Sequence, residues 1–180
     1  MKLIRYKPLK IKTLKVSGFN EAIKAMRFPK KSKNDSIGFN FKLFGLDISY
    51  FKLGKKDKKL ALNLIKAGDE HAKTIRGIEV WVQLEFQVGW MIEFETYRYG
   101  IDTLSTTSSM HGELKKLTGV KLIETKQRDL PYKVYKRISK VNYQTLRRIY
   151  KQRKNHRHND FKIFCKWIET LPHSELITIN

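Results

Sequence analysis

The sequence predicts an α+β fold, a single domain over residues 1–180 in which a mixed or antiparallel sheet is packed by helices. Three observations carry this reading. Ile78 to Phe86 alternates strictly between apolar and polar residues, as a strand with one buried face requires. Two later segments place apolar residues at helical spacing: Tyr143, Leu146, Ile149 and Tyr150, then Phe161, Phe164, Cys165 and Ile168. No internal repeat or low-complexity linker divides the chain.

Taken in order, Leu3–Tyr6 and Ile11–Val16 read as short strands separated by Pro8. Asn20 is placed as the N-cap of a helix that buries Phe19, Ile23 and Met26 and is stopped by Pro29. The polar stretch KKSKNDS reads as a solvated connector, with phosphate contacts from Arg27, Ser32 and Ser36 as the alternative. Gly38–Leu53, rich in aromatic and β-branched residues, reads as strand or hairpin with a bend near Gly45. From Asp57, the positions of Leu60, Leu64 and Ile65 mark a helix ended by Gly68, and a second short helix from Asp69 carries His71 and Ile75.

In the strand Ile78–Phe86, the residues Ile78, Val80, Val82, Leu84 and Phe86 form the core face. Glu79, Trp81, Gln83 and Glu85 are left to face a helix end, a subunit or a partly wet cavity. Trp90, Phe94 and Tyr97 then share one helix face, and Met91, Glu95 and Arg98 share the neighbouring one. Gly100 breaks this helix, and DTLSTTSS continues as a loop or irregular strand. A short helix is expected over Gly112–Val120.

Pro131–Ile138 reads as a strand, with Tyr132, Val134, Lys136 and Ile138 alternating against Lys133, Tyr135 and Arg137. Asn142 is placed as the N-cap of the next helix, whose outer positions carry Arg147, Arg148, Lys151, Arg153, Lys154 and Arg157. Asn159 or Asp160 is expected to cap the last helix and Pro172 to end it.

Lysine and arginine total 38 against 17 acidic residues, a formal charge of +21 that favours anionic partners. The apolar fraction of 41% argues for a packed core rather than a disordered basic tail. Cys165 is the only cysteine, so an intrachain disulfide is excluded and a reducing cytoplasm fits best. No stretch is apolar for the roughly 18 residues that a membrane span needs, and no signal-peptide core is found. Metal-ligand spacings, a nucleophile elbow and the glycine-rich phosphate loops are also missing from the sequence.

What remains is a binding constellation between Gln87 and His111. Arg98 offers two parallel donors to a phosphate, Ser105, Ser108 and Ser109 add hydroxyls, and Trp90 or Tyr97 offers a ring for a base. Glu95 lies one turn from Arg98, and His111 offers a further donor or an acid–base group. Arg148, Asn155 and His156 are candidates to close the pocket from the same chain or a neighbouring subunit. The alternative keeps the aromatics in the core, pairs Arg98 with Glu95 or Glu93, and makes the serines a loop. The basic run Arg147–His158 offers a separate surface for a phosphate backbone.

The pattern W-x-x-x-F-x-T-Y-R from Trp90, with S-S-M-H at Ser108–His111 and N-Y-x-x-L-R-x-I-Y followed by R-K-N-H, resembles a family of small bacteriophage proteins. A more distant resemblance is to flavin-dependent thymidylate synthases. Lys2–Pro8 is similar to their KLI-x-Y-x-P strand and Gly68–His71 to part of their G-H-E region, while their Arg-His-Arg motif falls on Thr96, Tyr97 and Arg98. Only the arginine at Arg98 is kept, and the nucleotide-binding serine and arginine that follow are matched only by Ser105 and Ser108. The resemblance implies that α+β fold and a nucleotide-phosphate site assembled between subunits of a homo-oligomer, without flavin or another cofactor.

The expected function is therefore a phage-encoded cytoplasmic protein that sequesters an ADP-ribose-like or cyclic nucleotide immune signal of the host. The alternatives are a nucleotide-modifying enzyme, a degenerate thymidylate synthase or a phosphodiesterase, and a basic nucleic-acid-binding protein.

Overall fold

The strand with strict alternation is the one around which the sheet is laid. The computed structural model describes residues 6–43, 46–106 and 134–179. The strands are β1 (Lys10–Ser17), β2 (Ile37–Leu43), β3 (Leu46–Lys52), β4 (Glu79–Gln87), β5 (Ile101–Thr106) and β6 (Val134–Asn142). The helices are α1 (Phe19–Arg27), α2 (Lys55–Lys66), α3 (Val88–Glu95), α4 (Tyr143–Arg153), α5 (Asn159–Glu169) and α6 (Glu175–Thr178). Two 3₁₀ turns, Phe28–Lys30 and His71–Gly77, follow α1 and precede β4.

The main sheet has the order β1-β4-β6-β5, and every pairing in it is antiparallel. β2 and β3 form a separate two-stranded ribbon, the hairpin expected over Gly38–Leu53. β4 buries Val80, Val82, Leu84 and Phe86 completely or nearly so, and Ile78 joins them from the preceding residue. Each such side chain contributes roughly 1.5–3 kcal/mol of burial. Its other face meets cross-strand lysines: Glu79 pairs with Lys140 at 3.1 Å and Glu85 with Lys10 at 3.4 Å.

The helices close over the inner face of this sheet. α4 buries Tyr143, Leu146 and Ile149, and α5 buries Phe161, Phe164, Cys165 and Ile168, as their spacing requires. Burial pushes the Cys165 thiol up to about 11, so it stays protonated and unreactive at neutral pH. Asn142 caps α4, its Oδ1 accepting the Thr145 amide at 2.9 Å. Gly68 follows α2 at φ 121°, in the left-handed region expected of a helix-ending glycine. Among the described residues, no helix is long and apolar enough to cross a membrane.

Several expectations are corrected. Gly18, not Asn20, occupies the cap position of α1, at φ 89°, and Asn20 lies inside the helix. His158 rather than Asn159 or Asp160 caps α5, its Nδ1 accepting the Asp160 amide at 3.2 Å. Asp160 is committed elsewhere: it is buried, and its Oδ1 accepts from the Tyr6 hydroxyl and from the Leu9 amide at 2.9 Å. The segment around His71 is a 3₁₀ turn, and the short helix α6 had no counterpart in the sequence reading. Leu3, Gly45 and the helix expected over Gly112–Val120 lie outside the described residues.

The basic stripe of α4 is also thinner than its sequence implies. Arg147 is 3% exposed, with Nη1 at 3.2 Å from Asp69 Oδ1 and Nη2 at 3.4 Å from the Ile65 carbonyl. Burial pulls this guanidinium below its ordinary range, and the Asp69 carboxylate opposes the shift. Arg153 is likewise drawn inward, 3.3 Å from Glu93 and over the Phe161 ring at 4.7 Å.

Candidate functional site

The segment Arg98–Thr103 runs from the turn after α3 into β5, the last strand on its side of the sheet among the described residues, and two cavities use it as a shared wall. The first, of about 320 Å³, is lined by Phe94, Glu95, Arg98, Ile101, Thr103 and Arg137. The second, of about 480 Å³, includes Tyr99 and Gly100 from the same segment, with Asp69, Arg76, Asn142, Gln144, Thr145 and Arg148. The turn at Gly100, which has φ 84°, accounts for the split: Arg98 lies before it, Ile101 and Thr103 follow on one face of β5, and Tyr99 and Gly100 face the other cavity.

In the first cavity the carboxylate is already paired. Glu95 Oε1 accepts from Arg137 Nη1 at 2.8 Å, and Arg137 Nε donates to Thr106 Oγ1 at 3.0 Å. The Arg137 guanidinium also sits 5.5 Å from the centre of the Phe86 ring. Arg137 is thereby buried and fixed, a preorganised cation at the base of the cavity. Arg98 is exposed and lines the same cavity; its carbonyl accepts from the Ile101 amide at 3.4 Å, while its guanidinium has no hydrogen-bond or ion-pair partner among the described residues. Two guanidinium groups and one carboxylate leave a net positive charge facing an anion.

In the second cavity, Arg76 Nε donates to Gln144 Oε1, and Gln144 Nε2 donates to the Asp69 carbonyl at 3.1 Å. Thr145 Oγ1 donates to the Tyr99 carbonyl at 2.5 Å, which pins the backbone next to an aromatic ring that is 81% exposed. Arg148 is half-buried and lines this cavity.

Gly100 holds the two halves apart. It has φ 84°, and a Cβ placed there would run into the Asn142 amide and the Thr145 hydroxyl. Both groups belong to the N-terminal cap of α4. Gly100→Ala is therefore expected to lower stability by about 1–3 kcal/mol in urea unfolding. An unchanged midpoint would show that the turn relaxes freely.

The site residues read from the sequence divide into six sets. Trp90 and Tyr97 are in the core, which corrects their role as stacking rings. Trp90 lies against Phe94 at 4.7 Å between centroids and against Phe161 and Phe164. The Tyr97 hydroxyl donates to Gln152 Oε1 at 2.8 Å and accepts from Arg153 Nε at 2.9 Å. Glu95 and Arg98 meet in one cavity without pairing to each other, because Arg137 takes Glu95. Ser105 is exposed on β5, where it pairs in register with Ile138.

Arg148 lines the second cavity, but Asn155 and His156 do not join it within one chain. They lie in the turn between α4 and α5, with His156 edge-on to Phe161 at 5.0 Å. Ser108, Ser109 and His111 lie outside the described residues.

Arg137, Arg76 and Tyr99 were not singled out from the sequence. The strand alternation placed Arg137 opposite the apolar set, yet Arg137, Ser139 and Val141 are the buried face of β6. Arg137 tolerates that position because Glu95, Thr106 and Phe86 together satisfy its charge.

No family model matches the chain, and no curated protein is similar to it. Solved structures do match. A flavin-dependent thymidylate synthase from Helicobacter pylori, crystallised with FAD and dUMP, superposes with a TM-score of 0.67 at 14% identity, covering 93% of this chain and 97% of that one. A second structure of thymidylate synthase from the same organism, also with FAD and dUMP, gives a TM-score of 0.66 at 12% identity, over 96% of this chain and 97% of the other. The likeness is one of architecture: this chain shares the fold of the flavin-dependent thymidylate synthases.

Proposed function

We propose that this chain is a nucleotide-binding protein in which Arg98 and Arg137 hold a phosphate. The observation that carries the reading is Arg98, whose side chain has no partner among the described residues, beside the fixed Arg137 in a cavity where the carboxylate of Glu95 is already neutralised. The base goes to Tyr99, the exposed ring of the shared wall, in place of the buried Trp90 and Tyr97. Arg148 and Arg76, in the cavity beside it, suit a second anionic group.

The biological role we propose is sequestration of an ADP-ribose-like or cyclic nucleotide signal in the host cytoplasm, by a phage-encoded homo-oligomer. The support is the likeness of Trp90–Arg98 and of Asn142–Tyr150 to small phage proteins. Among the described residues β5 is the last strand on its side of the sheet, so a second copy placed there would enclose the first cavity.

The FAD and dUMP of the neighbouring structures are ligands of those proteins. At the positions of the Arg-His-Arg motif, the Thr96 hydroxyl donates to the Glu93 carbonyl and the Tyr97 hydroxyl is held in the core. Only Arg98 offers a group to a ligand there, which does not fit a flavin held by that motif.

Calorimetry with dUMP, cyclic dinucleotides and ADP-ribose derivatives tests the reading, with mass spectrometry of the recovered ligand. Saturable binding and unaltered ligand are expected. The absence of binding to every phosphate-bearing nucleotide would overturn it, and a chemically altered ligand would transfer it to the enzyme class.

A further inference from the structure

We infer that the corner between α1 and β2 binds single-stranded nucleic acid, with Phe28 as the stacking ring. The surface is distinct from the cavities of the Arg98–Thr103 segment and does not depend on their reading. Phe28 is 84% exposed, an extreme position for a large aromatic side chain in a folded domain. It opens the 3₁₀ turn Phe28–Lys30, and the Lys31 amide closes that turn onto the Phe28 carbonyl at 3.1 Å. Lys31 takes a left-handed conformation at φ 47°. The ring therefore stands on a fixed corner of backbone rather than on a chain end.

Cations surround it. Phe28 lines an open cavity of about 580 Å³ together with Lys24, Arg27, Lys31 and Lys33, and among the described residues no carboxylate contributes to that lining. Between residues 24 and 59 the sequence carries eleven lysines and arginines against three aspartates, so this stretch holds a large share of the chain's positive charge.

Two of those aspartates are committed to holding the surface together. Asp57 accepts from Arg27 Nε at 2.6 Å and from the Asp35 and Ser36 amides at 2.9 Å each. Asp35 accepts from the Lys56 and Asp57 amides at 2.8 Å each. These bonds staple the connector 31–36 to the first turn of α2. Lys55, Lys56 and Lys59, all exposed there, extend the cationic rim beside Lys30, Lys31 and Lys33.

An exposed ring face within such a rim matches a polyanion whose bases are unstacked. A single strand offers base faces to Phe28 and phosphates to the lysines at once. A duplex offers only its backbone, because its base faces are covered by their neighbours. An acidic peptide would use the lysines and leave the ring idle.

The test is fluorescence anisotropy with a labelled oligothymidylate of about 15 nucleotides and a duplex of the same length, over a range of salt. The single strand is expected to bind in preference to the duplex, with affinity falling as salt rises. Phe28→Ala is expected to weaken single-strand binding about tenfold, in line with the loss of one stacked base. Phe28→Leu, which keeps apolar bulk without a ring face, is expected to bind as weakly, and Phe28→Tyr to bind like the parent. Lys30→Gln with Lys31→Gln and Lys33→Gln is expected to flatten the salt dependence. Equal affinity for duplex and single strand, preference for an acidic or phosphorylated peptide, or unchanged binding by the alanine and leucine variants would overturn the inference.

Discussion

Arg98→Ala is expected to weaken nucleotide binding by roughly 10- to 150-fold while leaving the unfolding curve within about 0.5 kcal/mol of the parent. The first figure follows from deleting a charged donor to phosphate, and the second from the geometry of the side chain. The Arg98 side chain is exposed and unpartnered among the described residues, so its loss orphans no group among them.

Arg137→Ala provides the contrast. It would remove the partner of Glu95 and of Thr106 and open space beside Phe86, so binding and stability should fall together. Titration calorimetry and urea unfolding on both variants separate the cases. Full affinity in the Arg98 variant would place the phosphate elsewhere, and a large stability loss there would make Arg98 structural.

Asp57→Asn should give the largest loss of stability, about 3–5 kcal/mol, as expected when a buried charge pair loses one partner. Four donors converge on this fully buried carboxylate: Arg27 Nε, the amides of Asp35 and Ser36, and the Ser36 hydroxyl at 2.6 Å. Asparagine keeps the shape but turns an NH₂ group toward one set of donors, so at least one bond becomes a clash. It also removes a negative charge from the first turn of α2, where the helix dipole favours one. Urea denaturation reads the effect directly; a loss below about 1 kcal/mol would mean that Arg27 and the connector find other partners.

The sequence revealed the sheet and helices more readily than the site. Where one face is apolar and the other polar, as in Ile78–Phe86 or Asp160–Thr170, periodicity alone places the element to within a residue or two. It misjudged Arg137 and Arg147, because a long cationic side chain at an apparently outer position is buried once a carboxylate arrives from elsewhere. Glu95 and Asp69 lie 42 and 78 residues from their arginines, and no local pattern announces such pairs.

The same blindness applied to Trp90 and Tyr97. Their i, i+7 spacing showed that they share a direction but not whether it points to solvent or into the core, where Trp90 meets Phe161 and Phe164 and Tyr97 meets Gln152 and Arg153. Arg98 sits where the helical pattern gives way to Gly100, so its cavity neighbours Glu95, Ile101 and Thr103 are near it in sequence as well, and only Arg137 comes from afar.

The anchoring of the first residues on Asp160 bears on how the chain reaches its native state during synthesis. Tyr6 and Leu9 bond to a residue 154 and 151 positions later, and the Trp167 indole donates to Thr13 at 2.9 Å, again across 154 positions. None of these bonds can form until the last helices have left the ribosome, about 10–30 s after the first strand at ordinary elongation rates. β1, the outer strand opposite β5 among the described residues, pairs with β4 far earlier but waits for that interval for its bond to Trp167. Its lysines at positions 10, 12 and 15 keep that waiting strand charged, a feature known to discourage edge-to-edge pairing between chains.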